Sequence, residues 1–191
     1  MAIPTYLHSN PLIRWLFWKR YETIANLTQP TSKTRILEFG CGIGAFLPTL
    51  CAYSDEVYAT DLVMDFAKEL ARRRDLKVNF VHIDDLPDKS IDLLIAADVL
   101  EHLEDLDQWL LRFKRLLNEG GELIVSGPTE NVIYKLGRIA AGFISKGEYH
   151  KSNILSIDRA ITSSGFTKTK EYRLPFSFPP YLFKVIAYKV I

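Results

Sequence analysis

An acidic residue followed by three alternating glycines, Glu38-x-Gly40-x-Gly42-x-Gly44, has the residue types and spacing to hold a ligand. Two apolar residues precede the acid and a helical pattern follows the glycines, which is typical of a buried strand that ends in a tight turn. Glycine suits such a turn, because a Cβ would block positive φ and fill the space that the ligand occupies. We therefore expect a nucleotide-like cofactor at this turn.

Two kinds of cofactor fit the glycines alone. Gly40-x-Gly42-x-x-Ala45 satisfies the dinucleotide-binding fingerprint, and Asp61 lies about 20 residues further on, where a ribose-binding acid belongs. Glu38 favours the other kind, because a carboxylate at the end of the strand would repel a pyrophosphate but could hold a cation. A cofactor with a sulfonium and an ammonium group therefore fits this turn better than one with two phosphates.

Residues 34–126 resemble the class I S-adenosylmethionine (SAM)-dependent methyltransferases of the small-molecule type, whose first motif is usually D/E-x-G-x-G-x-G. The resemblance implies an α/β fold with a single Rossmann-like, doubly wound sheet of seven mostly parallel strands, helices on both faces and a C-terminal antiparallel hairpin. It also implies SAM as the cofactor and S-adenosylhomocysteine as its product. Four further landmarks stand in the family's order along the chain: Val57–Asp61, Val78–Pro87, Ile91–Leu103 and Leu116–Ser126.

The resemblance also assigns binding roles to the ends of the predicted strands. Glu38 and the glycine turn would lie near the amino acid moiety of SAM, and Asp61 would hydrogen-bond both ribose hydroxyls. Either Asp84 or Asp85 would receive the adenine amino group, with Asp84 favoured. Asp98 would either contact the cofactor or cap the short helix after the fourth strand. The expected cofactor-binding residues are Glu38, Gly40, Cys41, Gly42, Gly44, Asp61, Leu62, Asp84, Asp85 and Asp98.

Two histidines are the candidate proton acceptors. Methyl transfer from SAM is an in-line displacement, so the protein mainly aligns the reacting atoms and needs a base only for a protonated, weakly acidic acceptor. Glu101 and His102 follow the fourth strand by a single helical turn, so one of them can point into the cleft. Histidine titrates near neutral pH, which favours His102 as the base, and local packing is the alternative. His150 is the second candidate.

The N-terminal helix and the segment after the fifth strand are expected to meet the acceptor. Asn10 and Pro11 predict the start of this helix, and Trp15 beside basic residues is typical of an interfacial helix. Residues 132–144 are apolar and loosely resemble the insertion of quinone-pathway O-methyltransferases, which act on polyprenylated phenols at membrane surfaces. We expect Trp15 and Tyr134 to bind substrate; the alternative is a lid whose apolar side packs over the cofactor. The expected polar side of the helix consists of Arg14, Lys19 and Arg20.

The chain length fits one α/β domain, which would occupy residues 1–191. Its expected parts are a helical cap (1–30), a cofactor-binding core (34–126), a lid (127–165) and a closing hairpin (166–191). Helices are expected at 43–52, 62–73, 98–102, 106–117 and 154–163, and the strands of the hairpin at 167–174 and 181–191.

Composition narrows the range of partners. A formal net charge of +1 gives no reason to expect nucleic acid, and the two cysteines lack a metal-binding spacing, so no metal is expected. No apolar run reaches the ~18–20 residues that span a bilayer, so we expect a cytoplasmic protein. Peripheral membrane contact through the N-terminal helix and residues 130–145 stays open.

These observations predict a SAM-dependent methyltransferase that acts on a small or lipid-linked acceptor, with oxygen favoured as the methylated atom. One alternative is a SAM-binding module without catalysis. The other is a nicotinamide-dependent oxidoreductase, which Glu38 and the lack of a second, substrate-binding domain disfavour.

Overall fold

The computed structural model of the chain describes residues 6, 8–28, 30–131, 134 and 152–190. In these residues, helices flank a seven-stranded sheet. The strands are β1 (Arg35–Phe39), β2 (Glu56–Thr60), β3 (Val78–Phe80), β4 (Ile91–Ala97), β5 (Leu117–Pro128), β6 (Phe166–Leu174) and β7 (Phe183–Val190). The helices are α1 (Pro11–Leu27), α2 (Leu47–Tyr53), α3 (Asp65–Arg74), α4 (Leu106–Leu116) and α5 (Ile154–Ser163), with short 3₁₀ helices at Ile83–Asp85 and Leu100–His102.

The strands lie in the order β3-β2-β1-β4-β5-β7-β6, and β1 to β5 pair in parallel. β7 runs antiparallel between β5 and β6, which confirms the predicted closing hairpin. The chain order reverses at β1, which has β2 on one side and β4 on the other. Ligands of open α/β sheets bind at such a switch point, outside the carboxyl ends of the strands. The predicted fold class is confirmed.

Helices cover both faces of the sheet because successive strand residues point to opposite faces. In β1, Ile36 packs into an apolar cluster with α1, α2 and α3, whereas Leu37 packs with α4 and α5 on the other face. Both side chains are fully buried. The two clusters hold β1 at the centre of the domain, and β1 leads directly into Glu38 and the glycine turn.

Helix starts follow local capping chemistry. Asn10 caps α1 by accepting a backbone hydrogen bond from the first turn, as predicted, and Asn153 forms a capping box at the start of α5. The predicted helix at 43–52 begins only at Leu47, because Gly44 has φ +80°, which lies outside the right-handed helical region. The glycine turn therefore takes residues that the sequence pattern assigned to the helix.

One side of α1 packs on the sheet, and Leu12, Trp15 and Trp18 are exposed on the other. The prediction that Arg20 belongs to the polar side was wrong, since this residue is only 2% exposed. Its guanidinium forms an ion pair with Asp98 and lies against two aromatic rings, which compensates the loss of water. Within the described ranges, no helix combines the length and apolar character that crossing a bilayer requires.

Candidate functional site

Glu38 lies near the carboxyl end of the central strand β1 and is only 2% exposed. Its Oε2 atom is buried and has no hydrogen-bond partner among the residues that the structure describes. Burial, and secondarily the charge of Asp61, raise the pKa of Glu38 to about 8. Buried polar atoms almost always have a partner in folded proteins, so an orphaned carboxyl oxygen at the ligand-binding edge marks the place of a missing donor or cation.

The glycine turn beside Glu38 is open at Gly42. This residue has φ +53°, and a Cβ added to it would meet no atom of the described residues within 4 Å. Its N–H donates a 2.7 Å hydrogen bond to Oδ2 of Asp61, so the turn is fastened to the end of β2. The predicted close approach of a ligand to the backbone therefore fits Gly42.

At the other two glycines of the motif, packing within the protein leaves no room for a side chain. A Cβ at Gly40 would lie 2.6 Å from the Val99 side chain, and one at Gly44 would lie 2.9 Å from Leu47. Cys41 between them is buried, and burial raises the pKa of its thiol to about 12, which is typical of a small core residue. These residues therefore pack on the side of the turn that faces the protein core. Contact of Cys41 with the cofactor stays a prediction.

The predicted ribose and adenine residues lie at the ends of β2 and β3. Asp61 accepts the hydrogen bond from the turn, and Leu62 beside it is fully exposed. Asp84 and Asp85 lie on an exposed 3₁₀ helix after β3. Oδ1 of Asp84 is 3.6 Å from Nη1 of Arg112. The four predicted residues thus share the sheet edge that carries Glu38.

Asp98 follows β4 and makes contacts within the protein that neither prediction considered. The N-cap position of the 3₁₀ helix that follows is Val99, so the prediction that Asp98 caps this helix was wrong. Asp98 instead forms the ion pair with Arg20 and accepts a 3.4 Å hydrogen bond from Ser126 Oγ, and its own φ is +53°. Contact of Asp98 with the cofactor stays a prediction. Sequence reasoning missed Arg20, because Arg14 and Lys19 lie in the same aromatic run of α1 and nothing in the sequence sets Arg20 apart from them.

The Arg20 side chain is held on several sides. Its guanidinium carbon lies 4.2 Å from the ring centroid of Phe17 and 4.4 Å from that of Phe183. Nη2 donates a 3.3 Å hydrogen bond to the hydroxyl of Tyr6, whereas Nε is buried and has no partner within the described ranges. The charge is therefore fixed in place at the end of β4, with one donor left unused.

An aromatic stack from α1 reaches the glycine turn. The Tyr6 ring stacks on Tyr21 at 4.7 Å between centroids, and Tyr21 stacks on Phe46 at 4.4 Å. The nearby charge of Glu38 contributes to a raised pKa of Tyr21, after the larger effects of burial and Tyr6. The N-terminal helix therefore lies across the Glu38 side of the candidate site.

The side chain of Glu101 is buried in the protein, whereas that of the neighbouring His102 is exposed to solvent. Glu101 is 1% exposed, and its Oε2 has no hydrogen-bond partner in the described part of the chain. Burial, and then the charge of Asp98, raise the pKa of Glu101 to about 8. The structure thus places the glutamate in the interior, although the sequence favoured the histidine. His102 as a base stays a prediction.

The predicted substrate residues Trp15 and Tyr134 have different surroundings, and their binding of substrate stays a prediction. Trp15 is half exposed on the outer side of α1. The Tyr134 ring contacts that of Phe183 edge-on, with 5.4 Å between the ring centroids, and packs against the apolar cluster that includes the inner side of α1. His150 and most of the predicted lid fall outside the described residues. In the part of the chain that the structure describes, no group of three or more His, Cys, Asp or Glu side chains is placed to bind a metal ion.

Comparisons with known proteins point to one family. A family profile described as a methyltransferase domain matches residues 37–123. Proteins named ubiquinone biosynthesis O-methyltransferase are 32% identical over 120 residues in Rickettsia typhi and 30% identical over 145 residues in Rickettsia felis. These alignments cover 59% and 70% of this chain but 49% and 59% of the relatives, so the chain spans about half of their length.

A solved structure shows the same fold. The N-methyltransferase NodS from Bradyrhizobium japonicum, in complex with S-adenosylhomocysteine, superposes with a TM-score of 0.73 at 17% identity. The match covers 100% of this chain and 93% of NodS. The similarity therefore extends beyond the cofactor-binding core to the first helix and the closing hairpin.

Proposed function

Because the chain belongs to the class I SAM-dependent methyltransferases, we propose that it transfers a methyl group from SAM to a hydroxyl oxygen of a small molecule. The observation that carries this proposal is the orphaned, buried oxygen of Glu38 beside the open backbone of Gly42. A dinucleotide would bring a negatively charged pyrophosphate to the same place. Glu38 therefore supports a cofactor with a cationic end.

The residues at the sheet edge fit SAM group by group. The carboxyl of Glu38 would receive the ammonium group over the turn at Gly42. Asp61 would take the ribose hydroxyls, since a carboxylate has about four acceptor sites and Gly42 uses one of them. The exposed side chain of Leu62 would pack on the adenine, and Asp84 or Asp85 would receive its amino group. When bound, SAM supplies a methyl carbon already activated by its positive sulfur.

Oxygen as the acceptor atom rests on the curated relatives. The two Rickettsia proteins are named O-methyltransferases, and they are the matches with the higher sequence identity. NodS, named an N-methyltransferase, shares only 17% of its residues with this chain and therefore supports the fold alone. We extend the O-methyltransferase activity to this chain.

A lipid-linked acceptor is the finer part of the proposal. α1 exposes Leu12, Trp15 and Trp18 in a row near the exposed Arg14, a combination that suits contact with the surface of a membrane. On this proposal the protein is cytoplasmic and touches the membrane peripherally. The cap (1–30) would admit the acceptor past Trp15 towards Tyr134, and the segment 127–165 would close over it.

Binding of the cofactor is the first test. Calorimetric titration with SAM, S-adenosylhomocysteine and NAD in parallel should show micromolar binding of the two sulfur ligands and no binding of NAD. Glu38→Gln should weaken the sulfur ligands at least tenfold, whereas Glu119→Gln, at an exposed position at the other end of the sheet, should not. Binding of NAD alone would overturn the proposal. Methylation of phenols by the purified protein, followed by mass spectrometry, then tests the acceptor.

A further inference from the structure

Three buried side-chain atoms lack a hydrogen-bond partner among the described residues: Arg20 Nε, Glu38 Oε2 and Glu101 Oε2. The proposed function accounts for Glu38, through the cationic end of SAM. The remaining two are a donor and an acceptor. Both belong to a cluster at the carboxyl end of β4 that is formed by Arg20 of α1 with Asp98 and Glu101. Because folded proteins rarely leave such atoms unpaired, we take this pair as a binding site for a polar group of the second substrate.

The surroundings of the pair restrict what can bind there. The charged groups that act on Glu101 are Asp98, Arg20 and Glu130. Arg20 and Glu101 influence each other electrostatically, but no direct ion pair joins them in the described part of the chain. Arg20 is committed to Asp98 and held between aromatic rings, so it cannot swing towards Glu101.

A neutral hydroxyl group carries both the acceptor and the donor that the two orphaned atoms require. Its oxygen would accept from Arg20 Nε and its hydrogen would point to Glu101 Oε2. An ammonium group has no lone pair to accept from Arg20 Nε, and an ionised carboxylate or phosphate has no hydrogen to donate to Glu101 Oε2. The cluster therefore discriminates in favour of a neutral alcohol or phenol.

On the premise of the proposed function, we propose that Arg20 and Glu101 hold the reacting hydroxyl of the acceptor, and that Glu101 is the residue that takes its proton. The acceptor oxygen forms a bond to the methyl carbon while the carbon–sulfur bond breaks and its electron pair stays on sulfur. The hydroxyl proton moves to the Glu101 carboxylate. One sulfonium and one carboxylate thus become a neutral thioether and a neutral carboxylic acid, and the acceptor becomes a methyl ether.

Two phenols that differ in acidity test this assignment. Catechol keeps its proton at neutral pH, whereas 4-nitrocatechol loses one readily and does not need a base. We expect Glu101→Gln to lower the turnover of catechol by about 10²-fold or more, the usual contribution of a general base. For 4-nitrocatechol we expect less than about tenfold loss, because the base is bypassed. Glu119→Gln, the same change at an exposed position, should leave both rates unchanged.

A binding measurement accompanies the rates. Calorimetry of catechol against protein saturated with S-adenosylhomocysteine should show about tenfold weaker binding in Glu101→Gln, with unchanged affinity for S-adenosylhomocysteine. In addition, at saturating SAM, which keeps Glu38 ionised, the rate of catechol methylation by the unaltered protein should rise with pH up to about pH 8, as the Glu101 carboxyl ionises. This profile keeps the test decisive if the variant does not fold.

The outcomes separate the two proposals. Equal losses on both phenols in Glu101→Gln, or a flat pH profile, would overturn the role of Glu101 while the methyltransferase proposal stands. Failure of the unaltered protein to bind S-adenosylhomocysteine would overturn the proposed function itself. Binding of that ligand with methylation of amines but of no phenol would overturn both the hydroxyl site and oxygen as the acceptor atom.

Discussion

Arg20 of α1 and Asp98 after β4 form a buried ion pair that fastens the N-terminal helix to the carboxyl end of the sheet. The pair lies where the acceptor is proposed to bind, and Phe17 and Phe183 cover the guanidinium. Both charges are largely removed from water, so each depends on the other. The helix and the site are therefore energetically coupled.

Arg20→Met should lower the free energy of unfolding by about 3–5 kcal/mol, because it leaves Asp98 partly buried without its cation. The measurement is urea denaturation followed by circular dichroism. Arg14→Met, an exposed change on the same helix, is the control and should stay within about 0.5 kcal/mol. The double variant Arg20→Met/Asp98→Asn should lose less than the two single changes added together; strict additivity would show that the pair is not coupled.

Asp61→Ala should weaken SAM binding by about 1.5–3 kcal/mol, the usual value for hydrogen bonds to a charged group. The carboxylate holds the turn through Gly42 and is the proposed ribose ligand, so both functions are lost together. Calorimetry gives the affinity, and Asp55→Ala at an exposed position before β2 is the matched control. An unchanged affinity in Asp61→Ala would rule out the ribose assignment.

Alanine at two glycines of the turn should separate ligand binding from folding. Gly42→Ala adds a Cβ that meets no protein atom, so it should cost only the roughly 1–2 kcal/mol of a left-handed alanine but lower SAM affinity more than tenfold. Gly40→Ala adds a Cβ 2.6 Å from Val99 and should destabilise the fold by more. Thermal unfolding and calorimetry on both variants compare the two effects. If both variants lost the same SAM affinity relative to their loss of stability, the proposed difference between Gly42 and Gly40 would be wrong.

The sequence predicted the parts of the fold that depend on local patterns. The glycine turn after β1 and the capped start at Asn10 are encoded by neighbouring residues, and the fold class was confirmed. The partner of Arg20 could not be predicted, because Asp98 meets it only after the sheet brings distant segments together. The packing of Gly40 against Val99 has the same origin.

The orientation of Glu101 and His102 shows another limit. Adjacent residues of a helical turn point in different directions, so the sequence shows that one faces the interior but not which one. The register of the short 3₁₀ helix on β5 and α5 decides it, and this register follows from tertiary packing. A preference for histidine as a base at neutral pH then favoured the residue whose side chain is exposed.

Membrane contact through α1 predicts a specific loss of binding. Leu12→Ala/Trp15→Ala should weaken association with vesicles that contain anionic lipid by more than tenfold, because burial of each large side chain contributes about 1.5–3 kcal/mol. Vesicle flotation measures the bound fraction. Leu111→Ala removes another exposed leucine, from α4, and should have no effect. If the protein does not bind such vesicles at all, this surface serves another purpose.

The buried carboxyls predict an unusual dependence of stability on pH. The folded pKa values of Glu38 and Glu101 are raised to about 8, above those of the unfolded chain. Both groups therefore contribute stability that is fully present below about pH 4.5 and is lost as the pH rises through 8. Glu69 and Glu171, whose pKa values are lowered to about 2, are already ionised and do not change in this window.

The free energy of unfolding of the ligand-free protein should thus fall between pH 5 and pH 8, by up to about 1.4 kcal/mol per pH unit for each carboxyl. Glu38→Gln should reduce that slope, because the amide has no proton to lose. Saturating SAM should also reduce it, since its ammonium group favours the ionised carboxylate at the same position. Urea denaturation at several pH values measures the slopes. An identical slope in Glu38→Gln and the unaltered protein would mean that Glu38 ionises normally and that its burial does not prepare it for a cation.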